Sequence, residues 1–269
     1  MLFWFPVFVL GQWGMAAPPP DAPLGPAVGL PMQSETAAEV TSRAVHDPTF
    51  WDPASVVTYA GEDYDQLRLR PMEEGYFTMI TGEGRMDFSH DVAVNTAFRY
   101  QDELPAIEDR ALSIRVLGEG RDEASGLPYV DTLFFLDFTL FYGIYIQRSY
   151  RLSIDGFTFV FFEMLRSDWV DAQTWDRYQQ IKEDVVAQTP LRWVFNEVVP
   201  LAEVYGTFVV APGAQHTTRI SFLVRLQFGE EAGAIARFAT EMPIVLRLGL
   251  QSGFENCVAI ARTHQSSGE

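Results

Sequence analysis

Between Leu133 and Leu152 the chain alternates: Phe134, Leu136, Phe138, Leu140, Tyr142, Ile144 and Ile146 occupy even positions, while Asp137, Thr139, Gln147, Ser149 and Arg151 occupy odd ones. A period of two is that of a strand with one face buried and the other in water, not that of a helix. Twenty residues of straight strand would reach roughly 65 Å, so a turn or bulge is expected near Tyr142–Gly143. The stretch that follows, "IYIQRSYRLSIDGFTFVFFEML", holds Asp155–Gly156, a pair suited to the positive backbone dihedrals of a tight hairpin. The greasy run from Thr132 to Leu165 therefore folds back on itself, and no integral membrane span is expected.

From Tyr76 onward strand signals dominate. "YFTMITGEG", "ALSIRVLGEG", "LRWVFNEVV", "VYGTFVVAP" and "TTRISFLVRLQF" are rich in β-branched and aromatic residues and are separated by turn residues. One helical pattern precedes this sheet and two interrupt or close it. Glu35 to Val45 follows Ser34 as N-cap and is stopped by His46, Asp47 and Pro48. Asp171 to Gln188 places Trp175, Tyr178, Ile181 and Val185 on one stripe and ends before Pro190. The last helix runs from Glu230 to about Arg262, with Leu246, Gly249, Leu250, Gly253, Cys257 and Ile260 along one face and a kink at Pro243.

Two final strands leading directly into a long helix, in "EVYGTFVVAPGAQHTTRISFLVRLQFGEEAGAIARFATEMPIVLRLGLQSGF", resemble the START-like, polyketide-cyclase-type superfamily, the helix-grip fold. "FRYQDELPAIEDRALSIRVLGEG" is similar to that family's helical excursion before its second strand. The resemblance implies an α+β fold in which a curved antiparallel β-sheet wraps around a long kinked C-terminal helix, leaving an internal cavity. Members of this superfamily commonly bind lipids, sterols, polyketides or other apolar molecules, and some are enzymes.

The domain reading is residues 1–17 as a signal peptide, 18–34 as a Pro-rich linker, 35–75 as an N-terminal helical extension, 76–262 as the helix-grip domain and 263–269 as a tail. Gly14 and Ala16 suit a peptidase site, although no Lys or Arg precedes Arg43. A periplasmic or secreted location is expected, with the cytoplasm as the alternative.

Composition narrows the function. The formal charge of −17, with 19 basic against 36 acidic residues, argues against nucleic acid and against an anionic membrane surface. Of the 19 basic residues only Lys182 is lysine, a bias attributable to GC-rich coding. Cys257 is the single cysteine and reads as a small core residue, and the four histidines are scattered, so neither a metal nor another cofactor is expected. No G-x-S-x-G elbow, phosphate loop or H-E-x-x-H helix occurs, and catalytic residues are left unassigned.

The expected ligand-binding residues are Phe138, Tyr142, Arg148, Tyr150, Glu163, Phe222, Leu246 and Gly249. An inward Arg148 needs a carboxylate or a ligand head group, and Glu163 across the hairpin is the nearest carboxylate. Gly249 and Gly253 leave space on the inner side of the last helix, whereas Arg219 and Arg225 are expected in water on the outer side. The expected partner is a hydrophobic small molecule or lipid, with the oligomeric state open. Three readings stand: a carrier; a cyclase or dehydratase using Arg148, Glu163, Tyr142 or Tyr150 to move protons; or an interaction domain with a filled core.

Overall fold

The computed structural model describes residues 23–61, 64–83, 89–107, 111–137, 141–190, 198–213, 217–229 and 243–267. Nine strands among them form one sheet: β1 (Val57–Tyr59), β2 (Gln66–Pro71), β3 (Tyr76–Glu83), β4 (Ala111–Arg121), β5 (Pro128–Asp137), β6 (Tyr142–Ile154), β7 (Phe157–Met164), β8 (Val198–Pro212) and β9 (Thr218–Phe228). Their order is β1-β2-β3-β9-β8-β7-β6-β5-β4, and each of these neighbours pairs antiparallel. Beyond the end of β7, the start of β8 also pairs parallel with the start of β6. β1 and β2 lie within the stretch whose sequence was read as a helical extension.

Among the described residues four α-helices accompany the sheet: α1 (Glu35–His46), α2 (His90–Ile107), α3 (Ala172–Gln188) and α4 (Pro243–Ser267). Ser34 caps α1 through Oγ, which accepts from the Ala37 amide at 3.3 Å, and Asp171 caps α3 in the same way at Thr174. The Asp155–Gly156 turn has φ of 50° and 80°, the dihedrals expected for the tight β6–β7 hairpin. The expected start of the last helix at Glu230 and its kink at Pro243 involve residues outside the described ones.

The sheet is covered on both faces. α2 and α4 pack on the inner face through Ala93, Ala97, Phe98, Phe254, Cys257 and Ala261, against Phe134, Tyr145, Phe162, Phe208 and Val224 of the strands. Residues 24–56, including α1, cover one part of the outer face through Phe50 and Trp51 on Phe77, Phe159 and Phe161. α3 covers another part, its Tyr178 and Val185 packing with Leu133, Phe135, Tyr142 and Ile144. The expectation of one wet face for the central strands is thus corrected. Residues 142–150 of β6 are all buried, because a helical layer lies on either side.

Residues 23–34, read as part of a Pro-rich linker, also pack on the outer face through Leu24, Val28, Leu30 and Met32, and the Leu24 amide donates to the Val45 carbonyl of α1 at 2.8 Å. Gly206 marks the closest approach in the core: a Cβ there would collide with the Leu223 carbonyl on β9 and lie 2.8 Å from the Phe162 ring. Gly206→Ala is expected to lower stability by about 1–3 kcal/mol through overpacking, with an unfolding midpoint in urea as the readout. A midpoint equal to wild type would show that β8 and β9 can part at this point without cost.

Candidate functional site

Strand alternation sorts the expected ligand-binding residues between the two faces, and most fall on the outer one. Tyr142 belongs to the cluster under α3. Arg148 and Tyr150, at the same parity on β6, share that face, and Glu163 on β7 shares it with Phe159 and Phe161. Placement of Tyr142, Arg148, Tyr150 and Glu163 toward the helix-gripped side is therefore overturned, and with it their expected proton-handling roles there.

Together they border a polar seam between the two outer apolar clusters. The Arg148 guanidinium donates to Asp131 through Nε to Oδ1 at 2.6 Å and Nη2 to Oδ2 at 2.8 Å, a bidentate pair. It also lies 4.1 Å from the centroid of the Tyr129 ring. Glu163 is the Cα partner of Arg148 across the hairpin, as expected, but Asp131 on β5 takes the charge. Burial alone would lower the guanidinium pKa, yet the hydrogen bonds and charge of Asp131 outweigh it and hold Arg148 protonated. Tyr178 of α3 donates to the same carboxylate at 3.2 Å, and burial with the Asp131 charge pushes its phenol up to about 12. Gly118 on β4 makes room for that hydroxyl, since a Cβ there would strike it.

At the other end of the seam Glu163 is 2% exposed and accepts from the backbone amides of Gln33 at 2.6 Å and Ser34 at 3.3 Å. The Gln33 side chain donates to the Tyr150 hydroxyl at 3.2 Å. Burial raises the Glu163 carboxyl to about 7 against the opposing effect of those amides and of Arg166.

The inner face carries the rest of the story. Phe222 stacks on Phe208 at 4.4 Å between centroids, and it lies on the helix-gripped side as expected. Phe138 is outside the described residues, as is the side chain of Leu246, whose backbone lies in α4. Gly249 is exposed rather than inward. Phe254, Cys257, Val258 and Ala261 form the face of α4 that meets the sheet, and Gly249 sits on its flank with nothing within 4 Å of an added Cβ. Gly253, half-buried, is likewise open.

Four residues that the pattern had assigned to water or passed over lie on this inner side: Thr132, Tyr145, Gln147 and Ser149, all buried. Their signal was present in the sequence. "LFFLDF" and "FTFVFF" are apolar in both phases, which is the mark of strands buried on both faces.

Arg219 and Arg225, expected in water, are also corrected. Arg225 is 4% exposed and bonds Glu203 and Gln227, while Arg219 is half-buried. Arg219 lines a shallow outer pocket of about 20 Å³ with Leu24, Trp51, Arg68 and Thr81. That volume holds about one water, far less than a lipid. Among the described residues no helix is long and apolar enough to cross a membrane.

No protein-family model matches the chain, and no curated protein matches it in sequence. Solved structures do. A STAR-related lipid transfer protein from Xanthomonas axonopodis is 11% identical with a TM-score of 0.50, covering 77% of this chain and 99% of that one. Human STARD10 is 7% identical with a TM-score of 0.55, covering 90% and 85%. Human StAR-related lipid transfer protein 5 is 8% identical with a TM-score of 0.53, covering 86% and 97%. These likenesses show the fold: the chain has the START-like, helix-grip architecture.

Two predictions follow from the seam. Arg148→Met leaves Asp131 buried and uncompensated and is expected to cost about 3–5 kcal/mol, whereas Asp131→Leu with Arg148→Met costs much less. Equal losses in urea unfolding for the single and double variants would contradict the pairing. For Glu163, the folded pKa of about 7 exceeds the unfolded 4.5, so the native state retains a proton that the unfolded chain has released. Stability therefore falls as pH rises from 4.5 to 7, by at most roughly 3 kcal/mol. Glu163→Gln should remove that slope, and an unchanged pH profile of melting would reject the assignment.

Proposed function

We propose that the protein binds an apolar, lipid-like molecule between the inner face of the sheet and the helices α2 and α4. The observation that carries this reading is that the apolar lining of the inner face is incompletely sealed. Ile114, Leu136, Met164, Phe222, Leu226 and Leu250 pack against the inner cluster but remain only half-buried. Apolar surface left partly accessible beside two helices costs about 25 cal/mol per Å² relative to full burial, and a hydrophobic guest would recover it. The open flank of α4 at Gly249 and Gly253 adds room beside this surface. The fold supports the same reading, since the structures it matches include proteins named for lipid transfer.

A second reading, an interaction domain with a filled core, has its own support. Phe254, Cys257, Val258 and Ala261 share one buried cluster with α2 and the inner residues of the strands. In this reading the half-buried residues are merely the rim of that contact. The enzymatic alternative loses its candidate proton carriers, because Arg148, Tyr150 and Glu163 engage groups on the outer face.

The two remaining readings separate on native mass spectrometry of the natively purified chain, with organic extraction of the same sample. A recurrent apolar molecule in stoichiometric amount is expected, and it should be lost in a Leu250→Trp variant that keeps the wild-type circular dichroism. A native mass equal to the bare chain, with a clean extract, would leave the filled-core domain.

A further inference from the structure

Polar side chains buried in an apolar layer are ordinarily matched with partners, and an exception calls for a physical reason. The outer face obeys this rule at Asp131, Arg148, Tyr178 and Glu163. On the inner face one strip departs from it at Thr132. Thr132 is 1% exposed, Gln147 2%, Ser149 4% and Tyr145 8%. Gln147 is the Cα partner of Thr132 across β5–β6, and Tyr145 is that of Phe134, so these side chains form one continuous strip.

Within the strip Gln147 Nε2 donates to Ser149 Oγ at 3.0 Å, but Thr132 Oγ1 has no hydrogen-bond partner. The Tyr145 ring stacks on Phe134 at 5.1 Å, and burial raises the pKa of its phenol. The Thr132 hydroxyl is thus desolvated without compensation, beside the apolar cluster under α2 and α4.

The strip is also uncharged. The next inner residue along β6, Arg151, is half-buried and directs its guanidinium over the Phe98 ring of α2, 5.1 Å from the centroid. Arg99 of α2 is engaged at the rim by Glu119 at 2.6 Å. A carboxylate or phosphate placed among Thr132, Tyr145 and Gln147 would lose its hydration with no cation in the strip to replace it. A hydroxyl, ester or amide fits, because the Thr and Tyr hydroxyls and the Gln amide can each donate and accept.

We propose that the Thr132–Tyr145–Gln147–Ser149 strip binds the polar end of an uncharged amphiphile, a long-chain alcohol, ester or amide, whose apolar body lies along the inner face. This rests on the reading that the inner face takes a hydrophobic guest, and it adds which class of guest is selected. A pure hydrocarbon leaves the Thr132 hydroxyl unmatched, and an acid is excluded by desolvation.

The test uses the full chain with three probes of one length, dodecanol, dodecane and dodecanoate, and two near-isosteric variants, Thr132→Val and Tyr145→Phe, with binding followed by native mass spectrometry. Wild type is expected to prefer dodecanol to both other probes. Each variant should lose about tenfold in dodecanol affinity, the scale of one hydrogen bond, while dodecane binding stays unchanged. The ligand-free Thr132→Val protein should melt higher than wild type, since a methyl replaces an unmatched hydroxyl. Dodecanol preference that survives in both variants would dismiss the strip while leaving hydrophobic binding intact. Preference for dodecanoate that is lost in Arg151→Met would move the polar end to Arg151 and overturn the uncharged assignment. Failure of wild type to bind any probe would defeat the underlying reading of the inner face, and this inference with it.

Discussion

Coverage of the sheet on both faces is the constraint from which the remaining features follow. A central antiparallel strand commonly turns one side to water, but β5, β6 and β7 have helical or strap-like layers on either side. Each residue on them must be apolar or satisfied. Phe159, Val160, Phe161 and Phe162 are consecutive and all buried for this reason, the odd members meeting residues from the N-terminal segment and the even ones the inner cluster. Such a sheet has no wet side on which to place charge, so any charge on its central strands needs a built partner.

The outer seam shows how that requirement is met and what it achieves. Its two ends engage the two outer covers separately: Tyr178 brings α3 to Asp131, and Gln33 with Ser34 brings the start of α1 to Glu163. Burying Asp131 and Arg148 carries a desolvation cost that a hydrophobic replacement would not. The apolar clusters supply the attraction on either side. What the polar seam adds is position, because a bidentate pair and a carboxylate receiving two amides tolerate little displacement, whereas an apolar contact can slide.

Much of the architecture was legible in local chemistry. Ser34 and Asp171 announce helix starts, Asp155–Gly156 the hairpin, the 175–178–181–185 stripe the packed face of α3, and the run from β9 toward a C-terminal helix the grip. The facing of the site was not legible from a single phase, and the reason is geometric. In the β5–β6 register Phe134 lies opposite Tyr145 and Thr132 opposite Gln147, so an even residue of β5 shares its face with an odd residue of β6. One even phase carried across residues 138–140 therefore sends Tyr142 and Arg148 to the wrong side. The choice of Glu163 for Arg148 failed for a related reason: adjacency in the hairpin register was visible, while Asp131 stood on the other neighbouring strand and Tyr178 and Gly118 came from distant elements.

Whether a buried polar group on the gripped side is satisfied locates function better than burial or charge does. Arg148 attracts attention as a buried cation, but its hydrogen bonds to Asp131 and its contact with Tyr129 leave it little to offer a guest. Thr132 carries an inconspicuous hydroxyl, yet it bears a desolvation cost that nothing in the described fold offsets. A sequence optimised for stability alone would place valine there with little loss of packing volume. Violations of a local rule tend to remain where function requires them, and the one at Thr132 lies on the gripped side, beside half-buried apolar residues that a guest would cover.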